Sequence, residues 1–147
     1  MILGIYHVNI NVTDIERSTE FYGLLGFEEV DRFHERGTPG LDRGLGFPHT
    51  ETKARFLALG NNARETVLDL VQWIEPEAAK IALELNQIGM PRLCLRVKDL
   101  DGEIARLQAH GVEFLSEPQL IDTLARKPRF VLFRDPDGVF LELVELY

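Results

Sequence analysis

The sequence predicts an α+β chain built of two tandem βαβββ modules, and two observations carry that prediction. The chain contains itself twice: a constant offset of 85 residues carries His7 onto Arg92, Asp14 onto Asp99 and Gly26 onto Gly111, across a strand, a helix and the following turn. Each copy also runs through its hydrophobic patterns in the same order. Strict alternation comes first, then helical spacing, then alternation again.

The first strand is "IYHVNINV", residues 5–12. Ile5, His7, Asn9 and Asn11 fall on one face, and Tyr6, Val8, Ile10 and Val12 on the other. That polar face looks either at water, as in an antiparallel sheet covered on one side, or into a pocket. A helix follows. Thr13-Asp14-Ile15-Glu16 offers a capping box, while Ile15, Phe21, Tyr22 and Leu25 supply an apolar stripe. Gly26 sits where a helix ends in a left-handed residue. Strands are predicted in "GFEEVDRF", "KARFLALG" and "ETVLDLVQW".

The second copy opens with the strand "RLCLRV" and a helix capped by Asp99. That helix carries Leu100, Ile104 and Leu107 and ends at Gly111; strands in "GVEFLSEP", "PRFVLFRD" and "VFLELVELY" come next. "DPDG", residues 135–138, is the turn of the last hairpin. Asp69 in "VLDLV" falls on Glu142 in "FLELV" at an offset of 73, so the first copy is 12 residues longer. The excess belongs to the Gly- and Pro-rich residues 34–52, predicted as a long loop or lid that holds His34 and His49. The modules are thus 1–74 and 90–147 within one domain, joined by a connector, 75–89, with a short helix predicted behind Pro76.

At 147 residues the chain suits one domain, and 45% hydrophobic with 27% charged residues marks it as soluble and globular. A net charge of -8 predicts no nucleic-acid partner, since a basic field is lacking. No apolar run is long enough for a membrane span and no signal peptide is evident, so a cytoplasmic home without a membrane partner is expected. The single cysteine, Cys94, permits no internal disulfide and reads as a small buried filler.

"HVNINVTDIERSTEFYGLLGF", "FRDPDGVFLELVE" and the paired module order resemble the vicinal oxygen chelate superfamily, which includes glyoxalase I, methylmalonyl-CoA epimerase, extradiol dioxygenases and bleomycin- and fosfomycin-resistance proteins. The resemblance implies a half-open cup of mixed β-sheet with the helices outside. His7, Asn9 and Asn11 would line it from one module, and Arg92, Cys94 and Arg96 from the other.

In metal-dependent members the ligands come from four equivalent points, here His7, Asp69, Arg92 and Glu142. Three of these are able ligands, and His7, Asp69 and Glu142 would hold one divalent ion (Mn, Fe, Co, Ni or Zn). Arg92 departs from the pattern, because members with a full set usually have His there. A guanidinium has no lone pair to donate and repels a cation, so the alternative is a site without metal. Arg92 then pairs with Glu142, Asp69 or both, or it anchors a substrate anion. The missing histidine also removes the two-His-one-carboxylate triad of a dioxygenase.

Two functions follow from the resemblance. One is a lyase or isomerase of the glyoxalase or epimerase type, moving a proton next to a carbonyl of a small oxygenated, anionic metabolite. Glu142 or Asp69 would be the general base, Arg92, Asn9, Asn11 and Arg96 would bind substrate, and a metal, where bound, would stabilise the enolate. The other is a metal-free binding or sequestering protein of the bleomycin-resistance type. Small members usually form homodimers, and a homodimer is expected here.

Overall fold

A computed structural model describes residues 1–60, 66–89 and 92–146. The chain divides into two units, Met1–Lys80 and Ile81–Tyr147. In the first, β1 (His7–Asn11) leads into α1 (Ile15–Leu24), then β2 (Phe27–Arg36), a short α2 (Pro39–Leu45), β3 (Glu51–Leu59) and β4 (Val67–Glu75). Its sheet has the order β1-β4-β3-β2, with β1 and β4 parallel and the other pairs antiparallel. The second unit repeats the plan with β5 (Leu93–Val97), α3 (Leu100–Ala109), β6 (Gln119–Leu120), β7 (Arg129–Arg134) and β8 (Phe140–Glu145), in the order β5-β8-β7-β6. Each unit is a βαβββ module with a mixed sheet, as the repeat predicts.

The helices start and stop where local chemistry dictates, with one shift. Asp14, not Thr13, caps α1: its Oδ1 accepts from the amides of Glu16 and Arg17, both at 3.1 Å. A carboxylate satisfies two orphan amides and suits the positive end of the helix dipole, so it displaces the threonine. Glu16 does not close the box; it reaches to Arg55 at 2.6 Å. Asp99 caps α3 through the amide of Gly102 at 2.9 Å. Gly26 and Gly111 adopt φ of 90° and 82°, and Val112 N donates to Leu107 O at 3.1 Å to complete a Schellman end on α3.

Each unit buries an apolar seam between its helix and one sheet face. Ile15 and Tyr22 of α1 are at most 2% exposed, and Ile10, Leu57 and Leu70 complete the first core. Leu100 and Leu107 of α3 are buried with Val131, Phe133, Leu141 and Leu143 in the second. Asp135 ties the β7–β8 turn by accepting from the amides of Asp137 and Val139 at 3.0 and 2.8 Å.

Three expectations change. Residues 34–52 are not one loop, because β2 runs to Arg36, α2 fills Pro39–Leu45 and β3 begins at Glu51. Proline at the first turn and Gly46 at φ 77° give α2 a start and a stop of its own. The connector forms no helix; Ile81, Leu85 and Ile88 remain exposed, and a short helix with no face to bury is unstable in water. "GVEFLSEP" contributes only a bridge from Phe114 to Phe133, and the strand begins later, at Gln119. Ser116 Oγ and Gln119 Nε2 both donate to the Glu117 carbonyl there, and such local bonds compete with a ladder.

Candidate functional site

Gln72 fixes the phase of the first sheet. Its Oε1 accepts from the Ile15 amide at 3.1 Å, so Leu68, Leu70 and Gln72 of β4 face α1, while Asp69, Val71 and Trp73 face the other way. On that opposite face lies a cavity of about 220 Å³. Phe33, Phe56 and Trp73 supply aromatic walls, and Leu41 and Leu45 of α2 close one side. Phe47 stacks edge-on to Trp73 at 5.4 Å, which anchors the segment after α2 to the sheet. The polar lining is Asn9, Thr52, Glu35 and Asp69. The polar face of β1 therefore looks at a pocket at Asn9, while Asn11 accepts from Trp73 Nε1 at 2.9 Å and fixes the indole.

Asp69 is the electrostatic centre of this cavity. It is 9% exposed; Asn9 Nδ2 donates to its Oδ2 at 3.2 Å, whereas Oδ1 is buried and has no hydrogen-bond partner among the described residues. Burial pushes its pKa above the ordinary carboxylate value, and the Asn9 bond and the His7 imidazole work against that rise. Phe56 stands opposite Asp69 in the β3–β4 register, and the His7 ring lies 5.9 Å from it. His7 itself is exposed.

In the second unit Arg92 Nε meets Glu142 Oε2 at 2.8 Å, with the guanidinium side chain 45% exposed and the carboxylate 11%. Cys94 stands opposite Glu142 in the β5–β8 register. The cysteine is exposed rather than a buried filler. Although the residue is exposed, partial desolvation of its thiol by neighbouring groups, then the Glu142 charge and hydrogen bond, push Cys94 up to about 11, against the Arg92 charge, so it stays protonated at neutral pH. Arg96 lies on the same strand face and is exposed.

These residues can be tested against a metal. His7 and Asp69 belong to the first unit and Glu142 to the second. Within each unit, among the described residues, no three His, Cys, Asp or Glu side chains converge as a metal-binding group. Glu142 is already engaged by a guanidinium, whose charge opposes a metal's. Arg92 itself cannot act as a ligand, because a guanidinium has no lone pair to donate. His34 pairs with Glu51 at 2.8 Å and His49 lies 3.7 Å from Glu75, so neither joins Asp69.

The sequence did not single out the cavity walls Phe33, Glu35, Thr52 and Phe56. The signal was present, because alternation along β2 and β3 puts these four on the face that Asp69 shares.

Comparison with known proteins agrees with this architecture. Residues 4–143 match the model of the Glyoxalase/Bleomycin resistance protein/Dioxygenase superfamily. The uncharacterized protein YaeR of Escherichia coli K12 is 40% identical over 57 residues, 39% of this chain and 42% of that protein's length. The crystal structure of a glyoxalase family protein from Bacillus cereus superposes with a TM-score of 0.83 at 20% identity, covering 99% of this chain and 95% of the other. TnmS3, an antibiotic binding protein from Streptomyces sp. CB03234, gives a TM-score of 0.63 at 24% identity, covering 99% and 98%. At such identities the two structural likenesses speak for the fold. The family match spans nearly all of the chain, which belongs to the glyoxalase/bleomycin resistance protein/dioxygenase superfamily.

Proposed function

We propose that this protein binds a small organic molecule without a metal, as a sequestering protein, and that the ligand has an aromatic or aliphatic body and a hydrogen-bond-donating, preferably cationic, head. One observation carries the reading: the first-unit cavity joins apolar and aromatic walls to two carboxylates, Asp69 and Glu35, and no lysine or arginine among the described residues lines it. An anion finds no counter-charge there. An ammonium group meets the unpartnered Oδ1 of Asp69 and the faces of Phe33, Phe56 or Trp73. The volume, about 220 Å³, lies below the roughly 300–1,000 Å³ of drug-sized sites, which suits a compact ligand or one arm of a larger one. The antibiotic-binding role of TnmS3 is consistent with a binding function, and the Arg92–Glu142 pair with a site without metal.

Differential melting against phenethylamine, its neutral alcohol analogue and phenylacetate tests the reading. The amine raises the melting temperature most and phenylacetate least; a ligand at a hundred times its Kd stabilises by about 2.7 kcal/mol. Asp69→Asn removes the preference for the amine. Equal or stronger stabilisation by the carboxylate overturns the ligand class. Stoichiometric divalent metal in protein purified without chelator overturns the metal-free part.

A second reading is proton transfer next to a carbonyl with Asp69 as general base, favoured by the burial that raises its pKa. Against it, the described lining offers a developing enolate the Asn9 amide and the Thr52 hydroxyl and, among the described residues, no cation. Deuterium exchange at the α-carbon of a bound carbonyl compound, abolished in Asp69→Asn, selects this reading over pure binding.

A further inference from the structure

The face of the first sheet that carries α1 holds another cavity, of about 290 Å³, with a different chemistry. In the antiparallel register of β2 and β3, Arg32 stands opposite Arg55 and His34 opposite Lys53. Arg55 pairs with Glu16 of α1, which puts all four residues on the helix side, away from Phe33 and Ala54. Basic residues directly opposite one another destabilise a sheet unless anions offset them.

Carboxylates answer three of the four. Glu29 takes Arg32 Nε at 2.6 Å, Glu51 takes His34 Nε2 at 2.8 Å, and Glu16 takes Arg55 Nη2 at 2.6 Å. Lys53 has neither an ion pair nor a side-chain hydrogen bond among the described residues. Arg55 is only 7% exposed and fully engaged, its buried Nε in an ion pair with Glu29 Oε2 at 3.4 Å and its Nη1 donating to the Ala54 carbonyl at 3.2 Å. The Arg32 side chain is engaged only through its Nε, so a guanidinium whose two Nη groups have no partner among the described residues lines the same cavity as Lys53, in a chain whose net charge is -8. Glu16 also lines it, but that carboxylate is 70% exposed and engaged by Arg55.

We propose that this cavity is a phosphate-binding site for a small phosphorylated molecule or free phosphate, with Lys53 and the Nη groups of Arg32 as the donors. A phosphate monoester carries nearly two negative charges at neutral pH, and its three oxygens accept from separate donors. The ligand reaches this site from the α1 side of the sheet, so it is independent of the cavity around Asp69.

Thermal melting of the full chain with inorganic phosphate, glycerol 3-phosphate or succinate, at constant ionic strength set with chloride, tests the proposal. One or both phosphates raise the melting temperature more than succinate does. A response to inorganic phosphate alone assigns free phosphate, and a response to the ester alone assigns a phosphorylated metabolite. Lys53→Gln weakens apparent affinity at least tenfold; because Lys53 has no partner among the described residues to lose, the variant keeps its native circular dichroism. The proposal is overturned by no phosphate response, by an equal response in Lys53→Gln, or by succinate matching the phosphates.

Discussion

Asp69 holds a carboxylate where water cannot fully solvate it. Its folded pKa is raised above the unfolded value near 3.8, so the folded state holds the proton more tightly than the unfolded one. Stability therefore falls as pH rises from below 3.8 through the folded pKa, and the penalty is fully present above that range. Asp69→Asn keeps an oxygen to accept from Asn9 and removes the ionisation. It is expected to raise the melting temperature at pH 7 relative to the parent, with the gap closing as pH falls toward 3.8. A gap that widens on acidification contradicts the burial assigned to this carboxylate. The need of Asp69 and Glu142 for partners was legible in "VLDLV" and "FLELV", because a carboxylate in apolar company requires one. Glu142 has the predicted guanidinium, with Nε 2.8 Å away. The amide of Asn9 was not foreseeable as the partner of Asp69, since it depends on β1 lying parallel to β4.

Helices and strands were legible where the local code is complete and fail where a neighbour decides. Thr13 and Asp14 both fit a cap by type, and only the backbone at Asp14, φ -141° and ψ 109°, identifies the one that serves. Asp14→Ala is expected to cost about 1 kcal/mol in urea unfolding. Thr13→Ala, which removes an exposed bond from Arg17 Nη2 at 2.9 Å and no helix cap, should change stability by no more than about 0.5 kcal/mol. The reverse ranking would restore the capping box with Thr13 as cap. α2 is the opposite case, a seven-residue helix with no buried residue of its own. Its apolar signal is too short for periodicity to register, yet Leu41 and Leu45 give the first cavity one of its walls.

Across the whole molecule the repeat extends to individual bonds. Gln72 Oε1 accepts from the first amide of α1 at 3.1 Å, and Glu145 Oε1, its equivalent, accepts from the first amide of α3 at 3.2 Å. Asn9 faces Asp69 in one register and Cys94 faces Glu142 in the other. Such correspondence follows from two sheets of one topology, and it explains why a constant offset in the sequence located the fold. The connector has no counterpart and no regular structure; residues 76–82 are exposed, and beyond them the Leu83 carbonyl accepts from Arg134 Nη1 at 3.2 Å. Inserting four Gly/Ser residues between the exposed Ala78 and Ala79 should therefore act mainly through chain entropy. Lengthening the 15-residue connector, 75–89, by four residues costs roughly 0.2 kcal/mol by loop-closure scaling. Urea unfolding should show a midpoint shift of that order, with an unchanged slope and an unchanged far-ultraviolet spectrum. A loss above about 1 kcal/mol exceeds any entropic account and would mean that 76–82 is packed or helical in solution, restoring the helix expected behind Pro76.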